Sequence, residues 1–237
     1  MNMVIPMAGA GQRFVDAGYE IPKYLIQAKG KSLLEWSVDS LPLDICSRLI
    51  FVVLASHEKE HGLENWLNDL YGKYCPVSLV MLDAPTRGQA ETVMKARDVI
   101  DPSASLLIYN IDTRFVSDTL QEMLCREDND GVLGCFESIE PRFSFAKTDD
   151  HGRVVEVTEK VPISTHALTG LYHFRNANDF FQVASDSIAA NETVKGEFYV
   201  APMYNALITQ GRNFVLDQAR HVDILGTPEE LNQFLAS

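Results

Sequence analysis

Apolar residues along this chain gather into runs of strand length, separated by stretches with helical spacing. Met3–Met7, Leu49–Ala55, Val77–Leu82 and Ser105–Tyr109 are short and almost continuously apolar, the pattern of strands covered on both faces. Between them, Ser32-Leu33-Leu34-Glu35 is a capping box that predicts a helix to about Leu41. Glu64 to Tyr71 carries helical apolar spacing, and Gln89 to Ile100 predicts a further helix closed by Asp101-Pro102. Strands alternating with helices in this way predict crossover units on a parallel sheet.

After Asp112 the pattern changes. A helix is predicted near Ser117–Cys125, and then Gly131–Glu137, Phe143–Lys147 and Arg153–Thr158 alternate with the strand period, with Asp149-Asp150-His151-Gly152 as a turn between the last two. Asn176–Ala190 and Val200–Gln210 predict helices, and Thr227-Pro228-Glu229-Glu230 opens a C-terminal one, with Pro at the first position and Glu three residues after the cap. No internal repeat and no linker rich in Pro, Gly or Ser divides the chain. The expectation is one mixed α/β domain over 1–237, its second half α+β and laid against the first.

The 237 residues, 46% of them hydrophobic, suffice for a large core. Thirty-three acidic against 20 basic residues give a formal charge of -13, which argues against nucleic acid or an anionic membrane as the main partner. An anionic ligand must then be met by a local cluster of cations. Cys46, Cys75, Cys125 and Cys135 show no CxxC spacing and no basic-then-apolar leader precedes the first strand, so a reduced, cytoplasmic protein is expected. The apolar runs fall well short of the roughly 20 residues that a membrane-spanning helix needs.

The first strand runs into Ala8-Gly9-Ala10-Gly11-Gln12-Arg13-Phe14, followed by Pro22-Lys23. A strand that breaks into a Gly-rich turn and delivers two cations can hold phosphate oxygens through backbone N–H groups and side-chain charge. Phe14 stands where a dinucleotide fingerprint has its third Gly, and no GxxxxGK[ST] is present, so neither a Rossmann cofactor site nor a P-loop is indicated. The combination Gly-x-Gly-x-Arg then Pro-Lys resembles the sugar-phosphate nucleotidyltransferases, pyrophosphorylase-type enzymes of GT-A-like fold that join a nucleoside triphosphate to a small phosphorylated acceptor. The resemblance implies a mainly parallel, Rossmann-like central sheet flanked by helices, with 1–128 as the nucleotide half and 129–237 as a smaller acceptor half. It implies that Ala8, Gly9, Ala10 and Gly11 wrap the triphosphate, that Arg13 neutralises the leaving pyrophosphate and that Lys23 meets charge developing at the α-phosphorus.

Later motifs follow in the family's order. Thr86-Arg87-Gly88-Gln89-Ala90 resembles its base-reading segment, with Gln89 as donor and acceptor and Gly88 permitting close backbone approach. Asn110-Ile111-Asp112 ends a predicted parallel strand, where open α/β sheets bind ligands; the resemblance makes Asp112 a ligand of Mg²⁺, with Ile111 in place of the usual Gly. Glu159-Lys160-Val161-Pro162 matches the Glu-Lys-x-Pro pattern, implying Lys160 for the acceptor phosphate and Glu159 for its hydroxyls or amine. Gly170, in Thr169-Gly170-Leu171-Tyr172, and Glu197 and Tyr199, in Gly196-Glu197-Phe198-Tyr199, complete the implied acceptor site. Asp223 echoes the second metal ligand, although one more residue than usual separates it from Gly226-Thr227.

Other readings compete. His57-Glu58-Lys59-Glu60-His61 fits the zinc-protease pattern H-E-x-x-H letter for letter, without an evident third ligand. The chain also looks like capsule-biosynthesis proteins classed with GT-A glycosyltransferases, and a nucleotide-sensing module without turnover would share the same loop.

Overall fold

The computed structural model describes residues 1–237. The apolar runs become β1 (Asn2–Pro6), β4 (Arg48–Leu54), β5 (Val77–Leu82) and β6 (Leu106–Tyr109), while β2 (Gln27–Ala28) and β3 (Lys31–Ser32) make a small separate hairpin. In the main sheet the order is β6-β1-β4-β5, every neighbour parallel, so that Val4 lies beside both Ile50 and Ile108. The helices α1 (Gln12–Asp16), α2 (Leu33–Val38), α3 (Ala55–His61), α4 (Leu63–Tyr71) and α5 (Gln89–Met94) connect them. Both arms of the predicted capping box form on α2: Glu35 N–H donates to Ser32 Oγ at 3.2 Å, and Ser32 N–H donates to Glu35 Oε2 at 2.8 Å. Helix α5 is shorter than its apolar spacing predicts. It ends at Met94, and a 3₁₀ turn at Arg97–Val99 follows, which still buries Val93, Ala96 and Ile100.

The second half continues with β7 (Thr113–Val116), α6 (Leu120–Cys125), β8 (Gly131–Glu137), β9 (Ser144–Thr148), β10 (Val154–Glu159), β11 (His166–Phe174), α7 (Ala177–Ala190), α8 (Tyr204–Thr209), β12 (Phe214–Gln218), β13 (His221–Ile224) and α9 (Pro228–Ala236). Strand β11 adds antiparallel to β6 and joins the new strands to the parallel ones; β8 and β9 pair with β11, β10 with β9, and β12 runs parallel to β8. Strands β7 and β13 pair with each other outside the main sheet. The outcome is the mixed α/β architecture expected, with a mostly parallel centre and helices on both faces.

Strand alternation divides the core. Val4, Ile50, Val52 and Ile108 face α7 and α8 through Phe174, Phe180 and Tyr204. Met3, Ile5, Phe51 and Leu107 face the other side, with Leu34, Leu67 and Leu124. A smaller cluster joins Phe14, Ile26, Ala28 and Leu33 to Leu225, Leu231 and Phe234 of the C-terminal segment. No helix is long and apolar enough to cross a membrane.

Candidate active site

Parallel strands β1 and β6 end side by side, and the segments that leave their C-terminal ends, Met7–Gly11 and Asn110–Asp112, form the floor of the site. Gly11 sits at φ +62, the left-handed region that a side chain would enter only under strain, and ends the loop by capping α1. A methyl group at Gly11 would touch Lys23 Cβ at 3.6 Å, so the loop and the 3₁₀ turn at Lys23–Leu25 are packed together. From that turn Lys23 Nζ reaches Asp112 Oδ2 at 3.1 Å. Tyr24 is buried beneath and its hydroxyl meets His57 Nδ1 at 2.9 Å. Burial raises the Tyr24 pKa and lowers that of His57, so the phenol donates and the neutral imidazole accepts.

A cavity of about 460 Å³ opens over this floor, lined by Ala8, Gly9, Ala10, Gly11, Lys23, Gly88 and Gln89. A second cavity, of about 270 Å³, lies beyond it and is lined by Arg13, Arg142, Ser144, Glu159, Lys160, Thr169, Gly170 and Tyr199. Four residues, Gln89, Asn110, Asp112 and Glu197, border both, so the two cavities meet at the Asp112 carboxylate. Gln89 Nε2 donates to Asn110 Oδ1 at 2.5 Å, which makes this amide pair a partition between them.

In the second cavity, Glu159 is only 8% exposed and burial raises its pKa, against the Ser144 hydroxyl and Lys160, which favour the carboxylate. Lys160 is held in left-handed backbone at φ 59, with its N–H on Phe143 O at 2.9 Å, its Nζ 3.8 Å from Glu159 Oε1 and in contact with the Tyr199 hydroxyl. Burial, then Glu197, raises the Tyr199 pKa and keeps its phenol protonated. Chemically, one cavity offers an amide-lined loop and a lysine. The other offers three cations among carboxylates and hydroxyls, suited to an anion attached to a polyhydroxylated body.

A family model described as nucleotidyl transferase matches residues 2–216. The chain belongs to this nucleotidyl transferase family. A crystal structure of the nucleoside-diphosphate-sugar pyrophosphorylase from Vibrio cholerae RC9 superposes with a TM-score of 0.85 at 33% identity, covering 99% of this chain and 100% of that one. The UTP–glucose-1-phosphate uridylyltransferase of Haloferax volcanii is 26% identical over 98% of this chain and 94% of its own length. The glucose-1-phosphate thymidylyltransferase of Xanthomonas campestris is 26% identical over 88% of this chain and 70% of its own.

Most of the residues singled out from sequence converge on these cavities. Arg13 lines the second cavity and not the loop-bound one, where pyrophosphate neutralisation would have placed it. At Gly88, with φ +137, a Cβ would lie 2.5 Å from the Phe198 backbone nitrogen, so the glycine admits the neighbouring chain segment, which bonds on both sides of it through Phe198 N–H to Arg87 O and Ala90 N–H to Phe198 O. At Gly170 a Cβ would lie 2.4 Å from Asn110 Nδ2, so this glycine makes room for Asn110 rather than for substrate.

Asp223 lines neither cavity. It sits opposite Arg114 in the β7–β13 ladder, its Oδ2 accepts from Arg114 Nη1 at 2.5 Å, and His221 Nε2 lies 3.1 Å from its Oδ1. The next residue, Ile224, is the one that lines the cavity. The strand period explains this: the extra residue before Gly226 turns the carboxylate to the opposite face.

The H-E-x-x-H segment forms helix α3 with its two imidazole rings 6.4 Å apart. His57 is spent on Tyr24, and no group of three or more His, Cys, Asp or Glu side chains is arranged to hold a metal. Arg142, Ser144, Thr169 and Glu230 also line the site and were not singled out. Arg142 and Ser144 flank Phe143 at the start of the predicted strand Phe143–Lys147, and Glu230 reads from sequence as part of the C-terminal helix start.

Proposed function

We propose that this chain transfers a nucleotidyl group from a nucleoside triphosphate to a sugar 1-phosphate and releases pyrophosphate. The observation that carries the reading is the pair of cavities meeting at Asp112, one beside the Gly-rich loop and Lys23, the other holding Arg13, Lys160, Glu159 and Tyr199. Names of the relatives, uridylyl- and thymidylyltransferases acting with glucose 1-phosphate, support this acceptor class.

In this reading the triphosphate lies along Ala8–Gly11 with its α-phosphorus toward the junction, and the acceptor's phosphate lies among Arg13 and Lys160. An acceptor phosphate oxygen forms a bond to the α-phosphorus. The bond to the bridging oxygen of the pyrophosphate breaks, and that leaving group takes the electron pair. The attacking phosphate is already ionised, so the protein needs no nucleophile and no general base. Its contribution is alignment of the reactants and neutralisation by Lys23, Arg13 and Lys160. Glu159, Glu197 and Tyr199 face the acceptor body as hydrogen-bond partners.

The Asp112 carboxylate, an oxygen donor at the junction and partly open to solvent, is the ligand type that Mg²⁺ takes alongside phosphate oxygens and water. When bound there, Mg²⁺ supplies positive charge to the phosphate oxygens. The test is a panel of four triphosphates and Mg²⁺ against sugar 1-phosphates and other small phosphomonoesters, with pyrophosphate as the readout. One pair should react, and Lys23→Ala and Asp112→Asn should each lower kcat by about 100-fold or more. Unchanged pyrophosphate release in both folded variants would overturn the assignment.

A further inference from the structure

We infer that Glu230, on the C-terminal helix, supplies the second carboxylate for a divalent cation held at Asp112. The inference rests on the proposed transfer reaction and adds a residue that no sequence motif indicated. With Asp223 turned away and Ile224 in its place, the junction has lost the second acid expected from strand β13.

Helix α9 restores one. Thr227 caps it, accepting from Glu230 N–H at 3.3 Å, which fixes Glu230 at the third helical position. A Glu at this position ordinarily folds back onto the N-cap N–H. Here it extends into the second cavity instead. Its Oε1 meets Arg142 Nη1, while Oε2 is buried without any hydrogen-bond partner, on a side chain only 9% exposed. A buried carboxylate oxygen with no donor is costly unless something positive comes to it.

The position of Oε2 indicates what that is. A methyl group at Gly226 would lie 3.3 Å from Glu230 Oε2 and 3.6 Å from Asp112 Oδ2. The two oxygens therefore face one gap, no wider than those two lengths laid end to end, which the glycine keeps open. Leu225 N–H donates to Asp112 O at 2.7 Å, binding the chain just before Gly226 to the Asp112 loop. Lys23 Nζ already lies 3.1 Å from Asp112 Oδ2 and Arg142 meets Glu230 Oε1, but neither cation reaches Glu230 Oε2, the oxygen left without a partner on the Gly226 side of the gap. A hard divalent ion that takes one or two carboxylates and completes its shell with phosphate oxygens and water fits this donor set, whereas the Arg142 pairing alone leaves Oε2 and Gly226 unexplained.

Mn²⁺ is the probe, titrated into the full chain without nucleotide and followed by electron paramagnetic resonance of the free ion. Glu230→Gln and Asp112→Asn should each weaken Mn²⁺ binding about tenfold or more, and Asp223→Asn should leave it unchanged. Ile224→Asp added to Glu230→Gln puts a carboxylate on the cavity-facing position of β13 and should recover most of the lost affinity, which a merely structural role for Glu230 would not produce. A wild-type chain that binds no Mn²⁺, a Glu230→Gln variant within about twofold of wild type, or an Asp223→Asn variant as impaired as Glu230→Gln overturns the inference. Pyrophosphate release separates the two levels: a wild-type enzyme that turns over while Glu230→Gln binds Mn²⁺ normally refutes Glu230 alone. Mn²⁺ held through Glu230 without turnover on any substrate pair upholds the site and refutes the reaction.

Discussion

Gly88 and Gly170 each hold open a space that another part of the same chain fills, the Phe198 backbone in one case and the Asn110 side chain in the other. His173 represents the opposite situation, a polar residue sealed in the core with neither ring nitrogen bonded. Burial, reinforced by Arg175 and the N-terminal ammonium, pushes its pKa down to about 3 from 6.5. Between those pH values the unfolded chain binds a proton that the folded chain refuses. Stability therefore falls as pH drops through that window, by up to about 1.4 kcal/mol per pH unit. His173→Leu should flatten this dependence in denaturant titrations between pH 7 and 4; a variant as acid-sensitive as wild type would show that other groups set it. Motifs single out Lys23, Gln89, Asp112 and Lys160, and all four line the cavities. Which way a side chain faces depends on strand register, and a single residue of spacing moved Asp223 out of the site while leaving its motif readable.

Among the elements that sequence periodicity did not supply, three strands are short and mixed in character: β7 is Thr-Arg-Phe-Val, β12 Phe-Val-Leu-Asp-Gln and β13 His-Val-Asp-Ile. Their pairing is decided by long-range partners, which a local pattern does not contain. Strands β1, β4 and β6, by contrast, are buried on both faces, and their continuous apolar runs announce them. Helix α9 shows how an element whose start was evident acquires a purpose only from tertiary packing. Leu231 and Phe234 close a cluster with Phe14 of α1, Ile26 and Leu33, and Trp36 stacks edge-on against Phe234 with centroids 5.3 Å apart. The last helix thus braces the element that follows the Gly-rich loop. Phe234→Ala should cost about 2–4 kcal/mol and should speed amide hydrogen exchange in α1 and the β2–β3 hairpin before that of β4 or β11. Uniform acceleration throughout the sheet would contradict this bracing role.

At the scale of the molecule, the two main cores draw on both halves of the sequence: Val4 and Ile50 share one with Phe174 and Tyr204, and Met3 and Phe51 share the other with Val132 and Leu171. Because residues of both halves pack in each core, unfolding should be cooperative across the chain. Trp36 and Trp66, the only two tryptophans, both lie in the first half, whereas backbone circular dichroism reports on all of it. The two signals should give coincident denaturant transitions, and separated midpoints would show that the halves melt independently. The formal charge of -13 is compatible with anionic substrates because cations are concentrated where the cavities lie, Lys23 and Arg87 in one and Arg13, Arg142 and Lys160 in the other.

The thin partition of Gln89 and Asn110 between those cavities has a further consequence for the order of events. Before transfer, the two occupants are independent molecules, each of which leaves on its own. Afterwards they are tethered through a single anhydride bridge and the product is bivalent. When one end lets go, the other holds it nearby at an effective concentration on the order of millimolar. Pyrophosphate, attached at one side only, has no such second grip. For the proposed reaction, the expected outcome is that release of the joined product paces turnover, read as a rapid burst of pyrophosphate equal to the enzyme concentration in the first turnover; a linear time course without a burst would contradict it.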